Sequence, residues 1–206
     1  CLVGLVVAVL WTPLLGVRSV EVVGVRDLTV AQVEAAAHVR DGTPMLRLDT
    51  VGITTRVAQL PRVASVDVSR EWPGTVRIDV TERDPVGVAL ESDGVHLVDS
   101  TGLDYATVTT APAGLPKIQL PVIAVTDART QAVVRVLVAL PSQLRTQVAS
   151  VAAATPGNVM LTLADGKRIR WGGADDSARK AAVLAALMTR PATVYDVSSP
   201  DLPTTS

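Results

Sequence analysis

His96, Asp99 and Ser100 supply the three residue types of a Ser-His-Asp hydrolase triad within one short segment. In such hydrolases, distant parts of the fold bring the three side chains together. The nucleophile elbow of α/β-hydrolases also needs a G-x-S-x-G motif, which this sequence lacks. The run Asp99-Ser100-Thr101-Gly102 is more typical of a turn in which the aspartate accepts hydrogen bonds from nearby backbone amides. We therefore predict a turn here and no catalytic residue.

Residues that bind metal ions are sparse. His38 and His96 are the only histidines, they lie far apart in the chain, and the single cysteine is Cys1. A zinc site needs several such ligands that converge on one point, so the sequence predicts no metal and no other cofactor. His38 is expected to interact with the dipole at the C-terminal end of a helix. With one cysteine, a disulfide within the chain is impossible.

Two carboxylates, Glu82 and Asp84, are close enough in sequence to suggest an acid and base pair. An enzyme of that type needs one carboxyl group in a burying pocket. Because Arg77 and Arg83 are interleaved with these acids, we interpret the group as a solvated set of cross-strand charges. Gly172 and Gly173 precede a predicted helix, but without the spacing of a phosphate-binding loop.

The overall charge argues against a nucleic-acid-binding protein. The 206 residues carry 19 basic and 20 acidic side chains, for a formal net charge of -1. Binding to nucleic acid needs a basic excess that is clustered on one face. We therefore expect no nucleic-acid partner.

Residues 1–17 contain no charged side chain, and we predict that they form a membrane-spanning helix or the distal part of one. Such a helix needs about 20 apolar residues, with a lower limit of about 17. Trp11 and Pro13 lie near its end, as expected for an interfacial aromatic residue and a helix terminus. The chain begins with Cys1 and not with Met, which suggests that part of the span precedes it. The apolar core of a secretory signal is the alternative, although no A-x-A-like cleavage site precedes Arg18.

A small α+β domain is predicted to follow this apolar segment. Thr29 and Gln32 form a capping box, with Leu28 and Val33 as its hydrophobic staple, and Asp49 can cap a second helix. The predicted elements are a strand at 18–24, helices at 30–39 and 50–60, and strands at 64–69 and 75–82. This β-α-α-β-β order describes a complete two-layer unit.

The turn and strand at 70–85 form the clearest local pattern in the chain. Val76, Ile78 and Val80 alternate with polar residues, which is the period of a half-buried strand. Trp72-Pro73-Gly74 predicts the preceding turn, since Pro73 fixes φ and Gly74 is free to adopt a positive φ. This run is structural and carries no candidate catalyst.

The remaining residues are predicted to form a domain that is richer in strands. Polar turns such as Asp165-Gly166 separate short apolar runs. Strands are expected at 87–90, 95–98, 105–109, 122–125, 149–153, 159–163, 168–171 and 193–197, and helices at 130–139 and 177–188. Asp175 and Asp176 are expected to cap the second helix, and residues 111–121 to form a loop.

The strand predicted at 193–197 is the best candidate for a binding surface. No later strand is predicted, so this strand is expected at a sheet edge whose open backbone groups can accept a partner strand. Tyr195 can anchor such an interface or pack against the helix at 177–188. Arg168 and Arg170, in the preceding hairpin, form either a solvated stripe or a basic rim for an acidic partner.

Several runs resemble, in order along the chain, motifs of the bacterial FtsQ/DivIB cell division family. They are Val17-Arg18-Ser19-Val20-Glu21-Val22-Val23-Gly24, Arg70-Glu71-Trp72-Pro73, Glu82-Arg83-Asp84-Pro85, Leu97-Val98-Asp99-Ser100-Thr101-Gly102 and Asp165-Gly166-Lys167. The Trp-Pro and Glu-Arg-x-Pro pair is fairly specific, while the others gain weight from their order. The resemblance covers nearly the whole chain. Within the family, the sequence is similar to an actinobacterial-type member.

The resemblance implies an α+β architecture with four parts. These are a transmembrane helix at 1–17, a POTRA domain at 18–86, a β domain with a mainly antiparallel sheet and flanking helices at 87–199, and a C-terminal tail at 200–206. It implies a non-enzymatic divisome scaffold that helps to control septal peptidoglycan synthesis. Such a protein crosses the inner membrane once, contacts membrane lipid, and has its bulk outside the cytoplasm at the septum. A POTRA-containing component of protein transport or envelope assembly is the alternative.

The resemblance also implies the partners and the residues that bind them. Family members bind FtsB/DivIC and FtsL, two coiled-coil division proteins, through the C-terminal strand, and their POTRA domain contributes to recruitment. The corresponding residues are Thr193, Val194, Tyr195, Asp196 and Val197, with Arg168 and Arg170 beside them. Tyr195 and Asp196 match the family's tyrosine and aspartate, whereas Val194 departs from the basic residue found there in some members.

Overall fold

The computed structural model describes residues 16–206, which form two compact units, 16–83 and 84–206. The sequence places the boundary between its two domains close by, after residue 86. The predicted membrane span lies outside the described residues, except that Gly16 and Val17 belong to the first unit. Among residues 16–206, no helix is both long and apolar enough to cross a bilayer.

The first unit is a two-layer α+β fold with the predicted order of elements. Its elements are β1 (Ser19–Val23), α1 (Val30–Ala37), a 3-10 turn (Met45–Arg47), α2 (Thr50–Val57), β2 (Val63–Glu71) and β3 (Thr75–Glu82). The sheet has the order β1-β3-β2, in which β3 is parallel to β1 and antiparallel to β2. The two helices cover the buried face of this sheet, which carries Val76, Ile78 and Val80.

The helix caps of the first unit are those predicted from the sequence. The backbone amide of Gln32 donates to the Thr29 hydroxyl (3.2 Å), and the Thr29 amide donates to the Gln32 side chain (2.8 Å). Asp49 caps α2 by accepting from the Gly52 amide (2.9 Å). These bonds satisfy amides that have no partner within the helix. α1 ends two residues before the predicted limit, because His38 adopts a left-handed conformation with φ 50°.

Glu82 is buried and not part of a solvated charge set, which corrects the sequence interpretation. Only 3% of its surface is exposed, and its carboxylate accepts hydrogen bonds from the backbone amides of Arg26, Asp27 and Leu28 at 2.7 to 3.1 Å. Burial alone raises the pKa of a carboxyl group, but these three amides and the Arg26 charge lower the pKa of Glu82 below its ordinary value. Glu82 therefore holds the segment between β1 and α1 against the end of β3.

The turn at Trp72-Pro73-Gly74 forms as predicted, but Gly74 is needed for a different reason. Its φ is not positive, whereas a Cβ atom on Gly74 would lie 2.9 Å from the carbonyl oxygen of Gly16. The Arg18 amide donates to Gly74 O (2.7 Å). Residues 16–18 therefore pack directly against the turn. A side chain at this position would push the two segments apart.

The second unit contains one large mixed sheet and three helices. Its elements are β4 (Pro85–Glu91), β5 (Gly94–Asp99), β6 (Asp104–Val108), β7 (Lys117–Gln119), α3 (Ala128–Ala139), α4 (Ser142–Arg145), β8 (Val148–Thr155), β9 (Asn158–Leu163), β10 (Arg168–Gly172), α5 (Ser177–Leu187), β11 (Val194–Asp196) and β12 (Thr204–Thr205). The strand order is β12-β11-β10-β9-β8-β7-β4-β5-β6. Five of the eight pairings are antiparallel.

Two segments with a predicted structure in the second unit differ from that prediction. The loop predicted at 111–121 contains β7, in which Ile118 is buried between β4 and β8. The strand predicted at 122–125 is absent, and these residues form an irregular approach to α3. Since β7 is flanked by prolines and has only three residues, its pairing depends on the neighbouring strands and not on a local pattern.

The main core of the second unit lies between the sheet and helices α3 and α5. Trp171, Leu161 and Tyr195 contribute from the sheet, and Leu137 and Leu184 from the helices. The start of α5 corrects a further prediction, since the Asp176 side chain makes no capping bond there. Instead, the Ser177 hydroxyl donates to Ala174 O (2.7 Å) and the buried Lys180 ammonium donates to Gly173 O (2.9 Å).

Candidate partner-binding edge

The candidate site is the edge of the large sheet formed by β10, β11 and β12. β11 lies parallel to β10, with Arg168 beside Val194, Ile169 beside Tyr195, and Arg170 beside Asp196. Parallel neighbours need a long crossover connection, and α5 provides it by packing Leu184 into the core. The position of β11 therefore depends on how α5 docks onto the sheet.

The structure separates the predicted site residues into two faces. Arg168 and Arg170 lie on the exposed face of the sheet, where Arg170 Nη1 is 3.8 Å from the Asp196 carboxylate. Tyr195 and Val197 lie on the opposite face and are buried in the core. The Tyr195 hydroxyl donates to the carbonyl of Arg190 (2.8 Å). Of the two alternatives for Tyr195, packing in the core is the one observed.

β11 is not the outermost strand, which corrects the expectation of an open edge. Residues 198–206, which we call the arm, fold back so that β12 pairs antiparallel with β11. The amides of Thr193 and Val194 both donate to Ser206 O (2.9 Å each), and the Ser206 amide donates to Val194 O (3.0 Å). The tail predicted at 200–206 therefore contains the strand that covers the candidate edge.

Few interactions hold the arm in place. Apart from two half-buried prolines, Pro200 and Pro203, its residues are exposed, and Leu202 retains 80% of its surface. Asp201 pairs with Arg179 at the surface, where an ion pair contributes little to stability. The Asp196 carboxylate accepts from the Ser198 amide (3.0 Å) and hydroxyl (2.6 Å), which turns the chain away from β11. The arm thus adds backbone pairing to β11 with little apolar burial.

The residues first considered for catalysis do not converge. Asp99 is buried and accepts from Thr101 N (2.8 Å) and Leu103 N (3.0 Å), as predicted for a turn. His96 instead contacts Asp104 (2.5 Å) and Asp93 (2.9 Å). Within residues 16–206 there is no group of three or more His, Cys, Asp or Glu side chains placed to hold a metal ion.

His96 makes the stability of the second unit depend on pH. The hydrogen bond to Asp104, and then that to Asp93, raises the pKa of His96 above its ordinary value of 6.5. The stabilisation is therefore fully present below pH 6.5 and is lost as the pH rises through the raised pKa. We expect the denaturant midpoint of the second unit, followed by the fluorescence of Trp171 in a Trp11→Phe, Trp72→Phe background, to fall over this range. His96→Gln should remove the pH dependence; the same slope in the variant would contradict the assignment.

Comparisons with known proteins cover both units. Residues 15–83 match the family described as POTRA domain, FtsQ-type, and residues 88–202 match Cell division protein FtsQ/DivIB, C-terminal. The solved extracytoplasmic domain of DivIB from Geobacillus stearothermophilus aligns with 54% of this chain and 98% of that chain, at 17% identity and a TM-score of 0.39.

Curated relatives named Cell division protein FtsQ align along nearly the whole chain. Identity is 44% with that of Mycolicibacterium smegmatis (94% of this chain, 58% of the relative), and 43% with that of Mycobacterium tuberculosis (98% and 64%). It is 39% with that of Streptomyces venezuelae (92% and 74%). The chain thus spans less than two thirds of the mycobacterial relatives. The resemblance drawn from the sequence motifs is confirmed, and the chain belongs to the FtsQ/DivIB family of bacterial cell division proteins.

Proposed function

We propose that this protein is a non-enzymatic scaffold of the division septum that binds partner proteins at β11. The partners are the FtsB/DivIC-like and FtsL-like coiled-coil division proteins, and the complex helps to control septal peptidoglycan synthesis. Residues 1–17 anchor the chain in the cell membrane, with the two described units outside the cytoplasm. The observation that carries the proposal is that, within residues 16–206, the outer backbone groups of β11 are covered only by the exposed arm.

Strand addition suits the geometry of this edge. Val194 uses its amide and its carbonyl to pair with Ser206, so an incoming strand can make the same bonds once the arm has left. Main-chain pairing gives affinity in such complexes, while side chains beside the strand give specificity. Because Tyr195 and Val197 remain in the core, β11 keeps its place when the arm is displaced.

The exposed arginines next to β11 indicate an acidic partner segment. Arg168 and Arg170 lie on one face of β10, and the side chain of Arg170 is 58% exposed. Asp196 supplies one negative charge near Arg170 against the two positive charges of the stripe, so it neutralises this basic stripe only in part. Complementary charges raise association rates and select among partners.

Reversing the charge of both arginines is expected to weaken partner capture by about tenfold, mainly through slower association. The variant carries Arg168→Glu and Arg170→Glu in the full chain. Capture of the FtsB/DivIC-like and FtsL-like proteins from the same organism is measured by surface plasmon resonance at two salt concentrations. The difference from the unmodified chain should shrink at the higher salt concentration.

Arg135→Glu is the matched control, since Arg135 is an exposed arginine on α3 and not on β10 or β11. It should bind partners as the unmodified chain does. Equal binding by the double variant and the control would refute the role of the arginine stripe. Failure of the unmodified chain to capture either partner would refute the proposed function.

A further inference from the structure

One end of the first unit adjoins the predicted membrane span. Val17 exchanges backbone hydrogen bonds with the loop after α1, donating to Thr43 O (2.9 Å) and accepting from Gly42 N (2.8 Å). The uncharged residues 1–15 precede this point directly. The same end contains the turn at Trp72. The start of α2 also lies here, because Arg70, just before this turn, donates from Nη2 to the carbonyl of Leu48, just before α2 (2.6 Å).

Exposed apolar side chains are concentrated at this end. Of the four large apolar side chains exposed among residues 16–83, three lie here: Leu46 (51%), Val51 (75%) and Trp72 (52%). The fourth, Val30 (44%), lies at the opposite end, where α1 begins. We call the end that carries Leu46, Val51 and Trp72 the basal face. Trp and other apolar residues at a membrane-proximal surface are typical of contact with the interfacial region of a bilayer.

Basic side chains surround these apolar residues. Arg18, Arg40 and Arg47 are exposed at the basal face. An open pocket of about 340 Å³ beside them is lined in part by His38, Arg40, Arg47, Asp49 and Arg56. The Arg56 guanidinium is fixed in this pocket by two bonds to Ala37 O (2.7 and 3.2 Å).

The acidic residues of the basal face do not balance these arginines. They are Asp41, Asp49 and Glu71. Asp49 is oriented by its cap on Gly52 (2.9 Å), and Glu71 lies 3.9 Å from Arg77 on the neighbouring strand. The arginines at this end are Arg18, Arg40, Arg47, Arg56 and Arg70, so the face keeps a positive balance.

We propose that the basal face of the POTRA domain binds anionic phospholipid headgroups. This inference rests on the proposed membrane anchor, because the anchor brings the face to the bilayer. The arginines of the basal face bind lipid phosphates, and the pocket binds one headgroup. Leu46 and Trp72 insert into the interfacial layer of the bilayer. The contact fixes the orientation of the first unit relative to the membrane.

The test uses the full chain with Cys1→Ser and one new cysteine, reconstituted into vesicles. Leu46→Cys at the basal face and Val30→Cys at the opposite end carry the same environment-sensitive fluorophore. Vesicles of phosphatidylcholine alone are compared with vesicles that also contain phosphatidylglycerol, and both carry the same headgroup-attached quencher. Position 46 should be quenched strongly only in the anionic vesicles, and position 30 in neither.

Adding Arg40→Gln and Arg47→Gln should abolish most of the quenching at position 46. Each arginine near an anionic surface strengthens association by about fivefold, so losing both should have a large effect. Equal quenching at positions 46 and 30, or no effect of the two arginine changes, would overturn the inference. Flotation with neutral vesicles tests the anchor separately: a chain that floats without selective quenching retains the anchor and loses the basal contact.

Discussion

Glu82→Ala is expected to lower the free energy of unfolding of the first unit by about 3 to 5 kcal/mol. The change removes the acceptor for three backbone amides, and leaving a buried donor without a partner costs about 1 to 3 kcal/mol. Leu28, one of these donors, is itself buried. Hydrogen exchange of peptides from residues 19–82 at increasing denaturant measures the loss. Peptides from residues 84–206, the second unit, should exchange as they do in the unmodified chain.

Two variants make the Glu82 experiment specific. Glu34→Ala replaces an exposed glutamate on α1 and should change the stability by less than about 0.5 kcal/mol. Glu82→Gln retains one carbonyl acceptor but turns a donating amide group toward the backbone amides, so its loss should be intermediate. If Glu82→Ala and Glu34→Ala had equal effects, the carboxylate would not be holding the 26–28 segment.

The Glu82 carboxylate also makes the first unit less stable at acidic pH. Because the amides lower the pKa of Glu82 below its ordinary value of 4.5, its contribution is fully present above that pH. It is lost as the pH falls through the lowered pKa, since protonation removes charge that the amides stabilise. Glu82→Gln should therefore show a smaller loss of stability on acidification than the unmodified chain.

The sequence predicted the elements of the first unit because their signals are local. A capping box, an Asp cap and a period of two each involve a few neighbouring residues. Glu82 continues the buried series Val76, Ile78 and Val80, so the alternation itself placed it inward. Its charge led to the solvated interpretation, because its three amide partners lie more than fifty residues earlier in the chain.

The covered edge of the second unit could not be inferred in the same way. Thr204 and Thr205 are β-branched, but two residues after Pro203 give too short a pattern to predict a strand. β12 forms because β11 offers it backbone partners at one place in the fold. The two faces of β10 follow from the alternation of Ile169 with the exposed arginines, and Tyr195, which lies beside Ile169, alternates in the same way with Val194 and Asp196 on β11.

Tyr195 shows why the binding test has to act on the backbone. The side chain is 1% exposed and fills the core beneath α5. A Tyr195→Lys variant would bury a charge and destabilise the second unit, so a loss of binding would not identify the site. A change that blocks the outer edge of β11 and leaves the core intact is needed.

Fixing the arm to β11 by a disulfide is expected to abolish partner binding. The variant carries Cys1→Ser, Val194→Cys and Ser206→Cys. Val194 and Ser206 exchange two backbone hydrogen bonds, a geometry in which paired Cα atoms lie about 5.5 Å apart. A disulfide accepts Cα separations of about 4.4 to 6.8 Å. Partner capture is measured for the oxidised and the reduced protein, and the reduced form is the matched control.

Removing the arm should have the opposite effect, because the partner then displaces nothing. A chain that ends at Ser199 is expected to bind partners about three- to thirtyfold more tightly, which corresponds to about 0.6 to 2 kcal/mol of arm pairing. If partners instead pair with the outer edge of β12, the locked form will keep its affinity and the shortened chain will lose it. The two variants therefore separate displacement of the arm from extension of it.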